Sequence, residues 1–168
     1  SERVMETLLK FSPDVEIYSI DEAFLSFKCF KVNELRTYCL DIRRIIKKWI
    51  GIPVSIGVGS TKTLSKVANH LAKKKIELEG VCILKEPVKI EEALNETRVQ
   101  DIWGIGKRLS KFLKDQGIMT AKQFINLDRR WVRNSMGVAG EKIQMELKGI
   151  SCLNLELLPS SRKSCCVS

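Results

Sequence analysis

The chain has 168 residues, of which 44% are hydrophobic, and a formal net charge of +9. This length and composition predict a globular protein with one core or two small ones. The basic excess favours a polyanionic partner, either nucleic acid or a membrane surface. No apolar run approaches the roughly 18 residues that span a bilayer, and no charged-then-apolar leader opens the chain, so we expect a cytoplasmic protein.

The cysteines and the single histidine, His70, form no recognisable zinc site, because no two cysteines have the C-x-x-C spacing. We expect reduced thiols that mostly serve as small core residues. The six are Cys29, Cys39, Cys82, Cys152, Cys165 and Cys166. The polar ending at 159–168 predicts no helix or strand, and we interpret the chain as a piece of a longer protein.

The first predicted elements are a helix over residues 1–10 and an extended run over 15–30, separated by Ser-Pro-Asp. The adjacent acids Asp21 and Glu22 lie inside the extended run and predict a tight turn between two strands. Both carboxylates would then lie at a strand end. Since two adjacent acids more often mark a solvated turn than a site, this pair needs support from other motifs.

Helices and strands continue to alternate along the chain. A helix is predicted over 35–50, a strand over 54–59 and a second helix after it, with Ser60 as a plausible cap. This order predicts an α/β layer, with one sheet and helices across a face. Residues 88–149 instead suggest short helices punctuated by glycine, and we place the domain boundary near Ile76.

The segment 54–75 joins a glycine-rich strand to a lysine-rich helix and at first resembles a phosphate-binding loop. The nucleotide-binding template requires glycine directly before its lysine, whereas Thr61 precedes Lys62, so the match fails. Lys62 and Lys66 still share one helical face, with Lys73 further along it. This cationic stripe suits a phosphate ligand, and a solvated outer face is the alternative explanation.

Residues 101–118 combine a glycine hairpin with a basic helix. The hairpin is Trp103, Gly104, Ile105 and Gly106, and the basic side chains that follow are Lys107, Arg108, Lys111 and Lys114. Glycines allow close approach to a phosphate, and a helix N-terminus offers free N–H groups. The pattern predicts a helix-hairpin-helix that holds a DNA backbone without reading bases.

A looser copy of this pattern covers 134–150, with Gly137 and Gly140 at its turn. Three arginines precede it: Arg129, Arg130 and Arg133. Paired acids, a lysine helix and a DNA-backbone grip share one explanation, a phosphoryl transfer in which carboxylates hold two divalent metals and lysines neutralise a triphosphate.

The motifs SIDEAF, SIGVGSTKTLSKVANHLAKK and DIWGIGKR occur in the order and approximate spacing of the Y-family translesion DNA polymerases. The chain resembles that family along nearly all its length, and the sequences of these motifs are most similar to those of the UmuC, MucB and ImpB branch. The resemblance implies an α/β (α+β) fold. A ferredoxin-like palm portion with a mixed sheet would occupy 1–76, a small all-α helix-hairpin-helix thumb 77–158, and a linker toward an absent little-finger domain 159–168.

The same resemblance implies an error-prone DNA-directed DNA polymerase, a nucleotidyltransferase of SOS mutagenesis and damage bypass. Asp21 and Glu22 would be the catalytic ligands of two Mg²⁺ ions, and Ser19 would lie beside them. Lys66 would bind the triphosphate, with Lys62 a weaker candidate. Because the third carboxylate and the fingers lie upstream in the family, we expect the isolated chain to be inactive.

The resemblance further implies that the hairpin binds the DNA backbone through Gly104, Ile105, Gly106, Lys107, Arg108 and Lys111. The implied partners are primer-template DNA, a deoxynucleoside triphosphate, a processed UmuD-type dimer, a recombinase filament and a sliding clamp, with no membrane. Two alternatives remain: a non-catalytic DNA-binding helix-hairpin-helix module, and another palm-type phosphotransferase such as a nucleotide cyclase.

Overall fold

A computed structural model describes residues 2–27 and 31–156. In chain order its elements are α1 (Glu2–Leu8), β1 (Val15–Ile17), β2 (Ala23–Leu25), α2 (Val32–Ile50), β3 (Ile56–Gly59), α3 (Lys62–Lys74), β4 (Val81–Leu84), α4 (Pro87–Glu96), α5 (Lys107–Asp115), α6 (Ala121–Ile125) and α7 (Arg129–Leu147). The predicted linker at 159–168 lies outside the described residues, as do Cys29, Cys165 and Cys166.

Strands β1 and β2 form an antiparallel hairpin in which Glu16 lies opposite Phe24. The backbone N–H groups of Tyr18 and Ser19 both donate to the Glu22 carbonyl at 3.0 Å and close the turn. The prediction of two strands joined at the acids is confirmed. The acids therefore leave the sheet at the turn, immediately before β2 begins.

Strands β3 and β4 form a second, parallel ladder, and α3 makes the crossover between them. The α/β class is confirmed, but within the described ranges the strands form two separate ladders where the sequence predicted one sheet. The two ladders meet through side chains of α3, which packs on β3 and directs Lys62 and Lys66 at the hairpin. The β1–β2 and β3–β4 ladders are thus connected by side chains of α3 and not by backbone hydrogen bonds between strands.

The buried core runs across the predicted domain boundary near Ile76. One cluster joins Leu64 and Val67 of α3 to Phe124 of α6 and Leu147 of α7. Strand β4 also lies beyond that boundary, yet it pairs with β3. The division at residue 76 stays a prediction, and the α/β layer and the helical part share apolar contacts.

Helix α3 packs directly against the backbone of β3, because two strand residues lack a side chain. A Cβ atom added to Gly57 would lie 2.1 Å from the Asn69 nitrogen, and one added to Gly59 would lie 2.7 Å from the Ser65 nitrogen. The glycine-rich strand that resembles a phosphate loop thus has a packing role here. It brings the lysine-bearing helix close to the sheet.

The cysteines that the structure describes match the expectation of reduced thiols. Cys39 and Cys82 are buried and free, and Cys152 is free and half-buried. Burial raises the pKa of Cys39 to about 11 and also raises the pKa of Cys82. Both buried thiols are therefore protonated core residues at neutral pH.

Residues 2–27 and 31–156 include no helix with the length and apolar character of a membrane span.

Candidate active site and nucleic-acid interface

The two acids of the hairpin turn have different surroundings. Asp21 is exposed, and the Ser19 hydroxyl donates to its Oδ1 at 2.8 Å. Glu22 is a third exposed, and its Oε2 lies 2.6 Å from the Lys66 ammonium. The chain relieves the repulsion between adjacent carboxylates by placing a cation against one of them.

Both lysines of the predicted stripe point inward at the β1–β2 hairpin. Lys62 Nζ lies 2.5 Å from Oε2 of Glu16, and each of these two side chains is about a tenth or less exposed. Lys66 is 14% exposed. The solvated-face explanation therefore fails for both, while Lys73 is exposed as that explanation predicts.

An aromatic trio surrounds the Lys66 ammonium. Its nitrogen lies 4.8 Å from the Tyr18 ring centre, 5.3 Å from that of Phe24 and 5.5 Å from that of Trp103. Tyr18, Phe24 and Glu16 were not predicted from the sequence as site residues. Strand periodicity offered a signal, since residues two apart on β1 and β2 share a face, but only the tertiary contact with Trp103 closes the group.

The N-terminus of α3 is already satisfied by protein groups. The prediction of Ser60 as the N-cap of α3 was wrong. The N-cap is Thr61, which has an extended backbone and whose Oγ1 accepts from the Leu64 N–H at 3.2 Å. Glu146 of α7, fully buried, accepts from the Thr63 N–H at 3.1 Å. A carboxylate thus occupies the position where this helix could have bound a phosphate.

Two buried acids, Glu146 and Glu16, accept hydrogen bonds from the segment that follows α7. Glu146 Oε1 accepts from the N–H groups of Cys152 and Leu153 at 2.6 and 3.1 Å. Glu16 Oε2 accepts from the Glu156 N–H at 2.7 Å. These charge-assisted bonds tie residues 152–156 back to the hairpin and to Glu146 of α7, which also accepts from the first turn of α3.

Helix α5, in contrast, begins with N–H groups that have no acceptor among the residues that the structure describes. Its N-cap is Gly106, which supplies no side-chain acceptor, and the first helical bond runs from the Ser110 N–H to the Gly106 carbonyl at 2.9 Å. Lys107 and Arg108 are exposed in this first turn. Free N–H groups, the helix dipole and two cations therefore make the N-terminus of α5 better suited to bind an anion than the N-terminus of α3.

The glycine hairpin before α5 forms a closed turn. Gly104 has φ +89, a conformation that favours glycine, in a turn closed by the Ile105 N–H donating to the Ile102 carbonyl at 3.0 Å. Ile105 is also buried. Its N–H already has an acceptor in this conformation, whereas Gly104 and Gly106 are exposed, and the predicted Ile105 contact to DNA stays a prediction.

A basic groove of about 500 Å³ lies along α5. Three of its lining residues are lysines at helical spacing: Lys107, Lys111 and Lys114. Gln100, Asp101, Ser110 and Asp115 complete the lining. The groove therefore adjoins the free helix end and carries the same sign of charge.

The looser helix-hairpin-helix copy is a kinked helix in the structure. Gly137 (φ 74, ψ −169) breaks α7, whereas Gly140 lies in its second half and not at the turn. Glu141, beyond the kink, lies 2.5 Å from the guanidinium groups of Arg129 and Arg133. These two arginines are thus paired with an acid of the same helix, which reduces their charge toward a DNA backbone.

We expect Glu141→Gln to destabilise the chain at pH 6.5 and to lose that effect in acid. Hydrogen bonds from Arg129 and Arg133 hold the pKa of Glu141 below its ordinary 4.5, although partial desolvation opposes them. A lowered folded pKa gives stability that is present above the unfolded pKa and is lost as pH falls through the folded value. Urea unfolding at pH 6.5 and 3.5 measures the difference.

The control for this change is Glu6→Gln, at an exposed position of α1. Its unfolding midpoint should follow the unchanged chain at both pH values. A difference between Glu141→Gln and the unchanged chain that does not shrink in acid would show that the arginine pairs give no pH-dependent stability.

The chain is similar in sequence to known proteins. The model of the impB/mucB/samB family matches residues 1–70. The protein UmuC of Salmonella typhimurium is 37% identical over 99% of this chain and 40% of the relative. Residues 1–70 of this chain match that family, and the similarity to UmuC runs along nearly the whole chain. The chain spans about two fifths of the length of the curated relatives that it matches.

Further similarities to known proteins reach beyond residue 70 and into the helical part. DNA polymerase IV of Picrophilus torridus is 33% identical over 88% of the chain and 41% of the relative. A solved Y-family DNA polymerase chimera of Dbh superposes on 95% of the chain and 46% of its own with a TM-score of 0.76 at 25% identity. The chain therefore has the fold of Y-family DNA polymerases along nearly its whole length.

Proposed function

We propose that this chain is the catalytic-core part of an error-prone translesion DNA polymerase, which carries out template-directed nucleotidyl transfer with two Mg²⁺ ions. Similarity to the impB/mucB/samB family and to DNA polymerase IV supports the reaction class. The observation that carries the proposal is the junction of three features: the acids of the β1–β2 turn, Lys66 of α3, and the glycine hairpin, which reaches Lys66 through Trp103.

The acid pair suits magnesium as a partial ligand set. The described residues contain no group of three or more His, Cys, Asp or Glu side chains that could hold a metal. Mg²⁺ is commonly held by one or two carboxylates together with waters and substrate phosphates. Asp21 and Glu22 fit that pattern, and two such ions would clamp the attacking and leaving oxygens of the transfer. Asp21 is the freer ligand, because within the described ranges its one hydrogen-bond partner is the Ser19 hydroxyl and it has no ion pair.

Lys66 is placed to neutralise a triphosphate beside the acids. Its ammonium is now shared with Glu22 at 2.6 Å, and a triphosphate with several negative charges competes with that single carboxylate. Lys62 is the weaker candidate, because its ammonium forms a buried ion pair with Glu16. The Glu16 carboxylate also accepts a hydrogen bond from the Glu156 N–H. Releasing Lys62 would leave a buried carboxylate without its cation.

The DNA-backbone contact belongs to the free N-terminus of α5. Gly104 and Gly106 allow close approach, and Lys107, Arg108 and Lys111 supply charge. Such contacts position a duplex without reading its sequence. The UmuD-type dimer, the recombinase filament, the sliding clamp and the cytoplasmic location stay predictions of the family resemblance.

The proposal is tested by primer extension with the complete protein that carries this chain. We expect extension that requires Mg²⁺ and stops with a chelator, together with primer-template binding that weakens steeply as salt rises. Salt-sensitive DNA binding with no extension on any divalent ion would favour the non-catalytic module. Phosphotransfer without DNA binding would favour another palm-type enzyme.

A further inference from the structure

The aromatic trio of Tyr18, Phe24 and Trp103 joins two parts of the chain that are far apart in sequence. Tyr18 and Phe24 belong to the β1–β2 hairpin, and Trp103 lies in the turn before α5. Their ring centres are 5.4 to 5.8 Å apart in edge-on or tilted geometries. The indole N–H of Trp103 also donates to the Tyr18 hydroxyl at 3.3 Å.

Lys66 points into this trio with its ammonium in reach of all three ring faces. A lysine ends in a point charge on a flexible four-carbon stem, so its position is normally poorly defined. Aromatic faces attract a cation through the ring quadrupole and restrict where it can lie. Glu22 then fixes the direction of the ammonium at 2.6 Å.

Trp103 is the member that depends on the DNA-gripping hairpin. It immediately precedes Gly104, whose φ of +89 shapes the turn, and it lies three residues before the Gly106 N-cap. Any movement of that hairpin relative to the acids therefore moves one wall of the Lys66 enclosure. The geometry links the DNA-backbone contact to the lysine beside the acids.

We propose that Trp103 is a positioning residue that holds Lys66 ready for the triphosphate and couples its placement to the DNA-bound hairpin. The inference rests on the proposed function, because it assigns Lys66 a triphosphate. Trp103 would act through Lys66, which itself pairs with Glu22. Its role would appear in nucleotide binding and not in DNA affinity.

The test compares Trp103→Leu and Trp103→Phe in the complete protein. We expect Trp103→Leu to raise the KM for the nucleotide about fivefold to tenfold, with kcat and the DNA Kd changed less than about twofold. Trp103→Phe keeps a ring face and should restore most of the KM. The control is Trp49→Leu on α2, an exposed tryptophan with Lys10 at 5.1 Å from its ring, which should change none of these values.

A readout that needs no polymerase activity accompanies the kinetics. The rings should shift the Lys66 side-chain methylene signals upfield in NMR spectra of lysine-labelled protein, and Trp103→Leu should reduce that shift. An active protein whose nucleotide KM is unmoved by Trp103→Leu would overturn the role of Trp103 alone. An inactive unchanged protein would overturn the proposed function, and the triphosphate role with it, even if the NMR shift confirmed the contact.

Discussion

Replacing Asp21 with Asn in the complete protein is expected to lower Mg²⁺-dependent primer extension at least roughly 10³-fold. Asn keeps the size of the side chain and can still accept the Ser19 hydroxyl that now donates to Asp21 at 2.8 Å. What it loses is the negative charge that a divalent ion requires. The local fold should therefore survive while the metal ligand is removed.

DNA affinity is expected to stay within about twofold, because the proposed backbone contacts lie on the α5 hairpin and make sequence-independent phosphate interactions. Extension should be measured at saturating primer-template, so that a binding defect cannot mimic a catalytic one. Asp41→Asn on α2 is the matched control, since Asp41 pairs with Arg44 on the same helix. Extension by Asp21→Asn within tenfold of the control would make the acids structural and favour the DNA-binding module.

Replacing Gly57 with Ala is expected to destabilise the chain by about 3 kcal/mol or more. The new Cβ would lie 2.1 Å from the Asn69 nitrogen and 2.3 Å from the Ser65 carbonyl oxygen, both of them backbone atoms of α3. A flexible side chain could move aside at low cost, whereas a helix backbone cannot. Helix α3 must shift away from β3, and its packing on the core is lost with the shift.

The measurement is the urea midpoint of the chain at neutral pH, followed by circular dichroism. Gly106→Ala is the control, because nothing lies within 4 Å of its added Cβ and its φ of −76 suits any residue. It should cost less than about 1 kcal/mol, the range of N-cap substitutions. Equal destabilisation by the two changes would show that close packing of α3 on β3 is not what Gly57 provides.

Much of the fold could be predicted from local pattern. The turn between β1 and β2, the helices over 32–50 and 62–74, and the short glycine-punctuated helices after residue 86 all follow from periodicity and turn residues. The errors came where a distant group decides the outcome. Thr61 replaced Ser60 as the cap because Glu146, 85 residues away along the chain, supplies its carbonyl to the Thr61 hydroxyl.

The candidate site divides in the same way. Its acids, lysines and glycine hairpin were identified by residue type and spacing, since each lies within one short segment. Glu16 and the aromatic trio were missed as a group, because their partners come from different elements. The pairing of Lys62 with Glu16 depends on how α3 lies across the hairpin, and 46 positions separate the two residues.

By itself the sequence determined which chemistry the chain carries: adjacent carboxylates at a turn, lysines four residues apart, and glycines before a basic helix. Only the tertiary structure decided which of these groups are free. It closed the N-terminus of α3 with Glu146 and left that of α5 open. The physical reason is that a buried charge must find a partner wherever the fold brings one, and sequence spacing does not fix which distant group arrives.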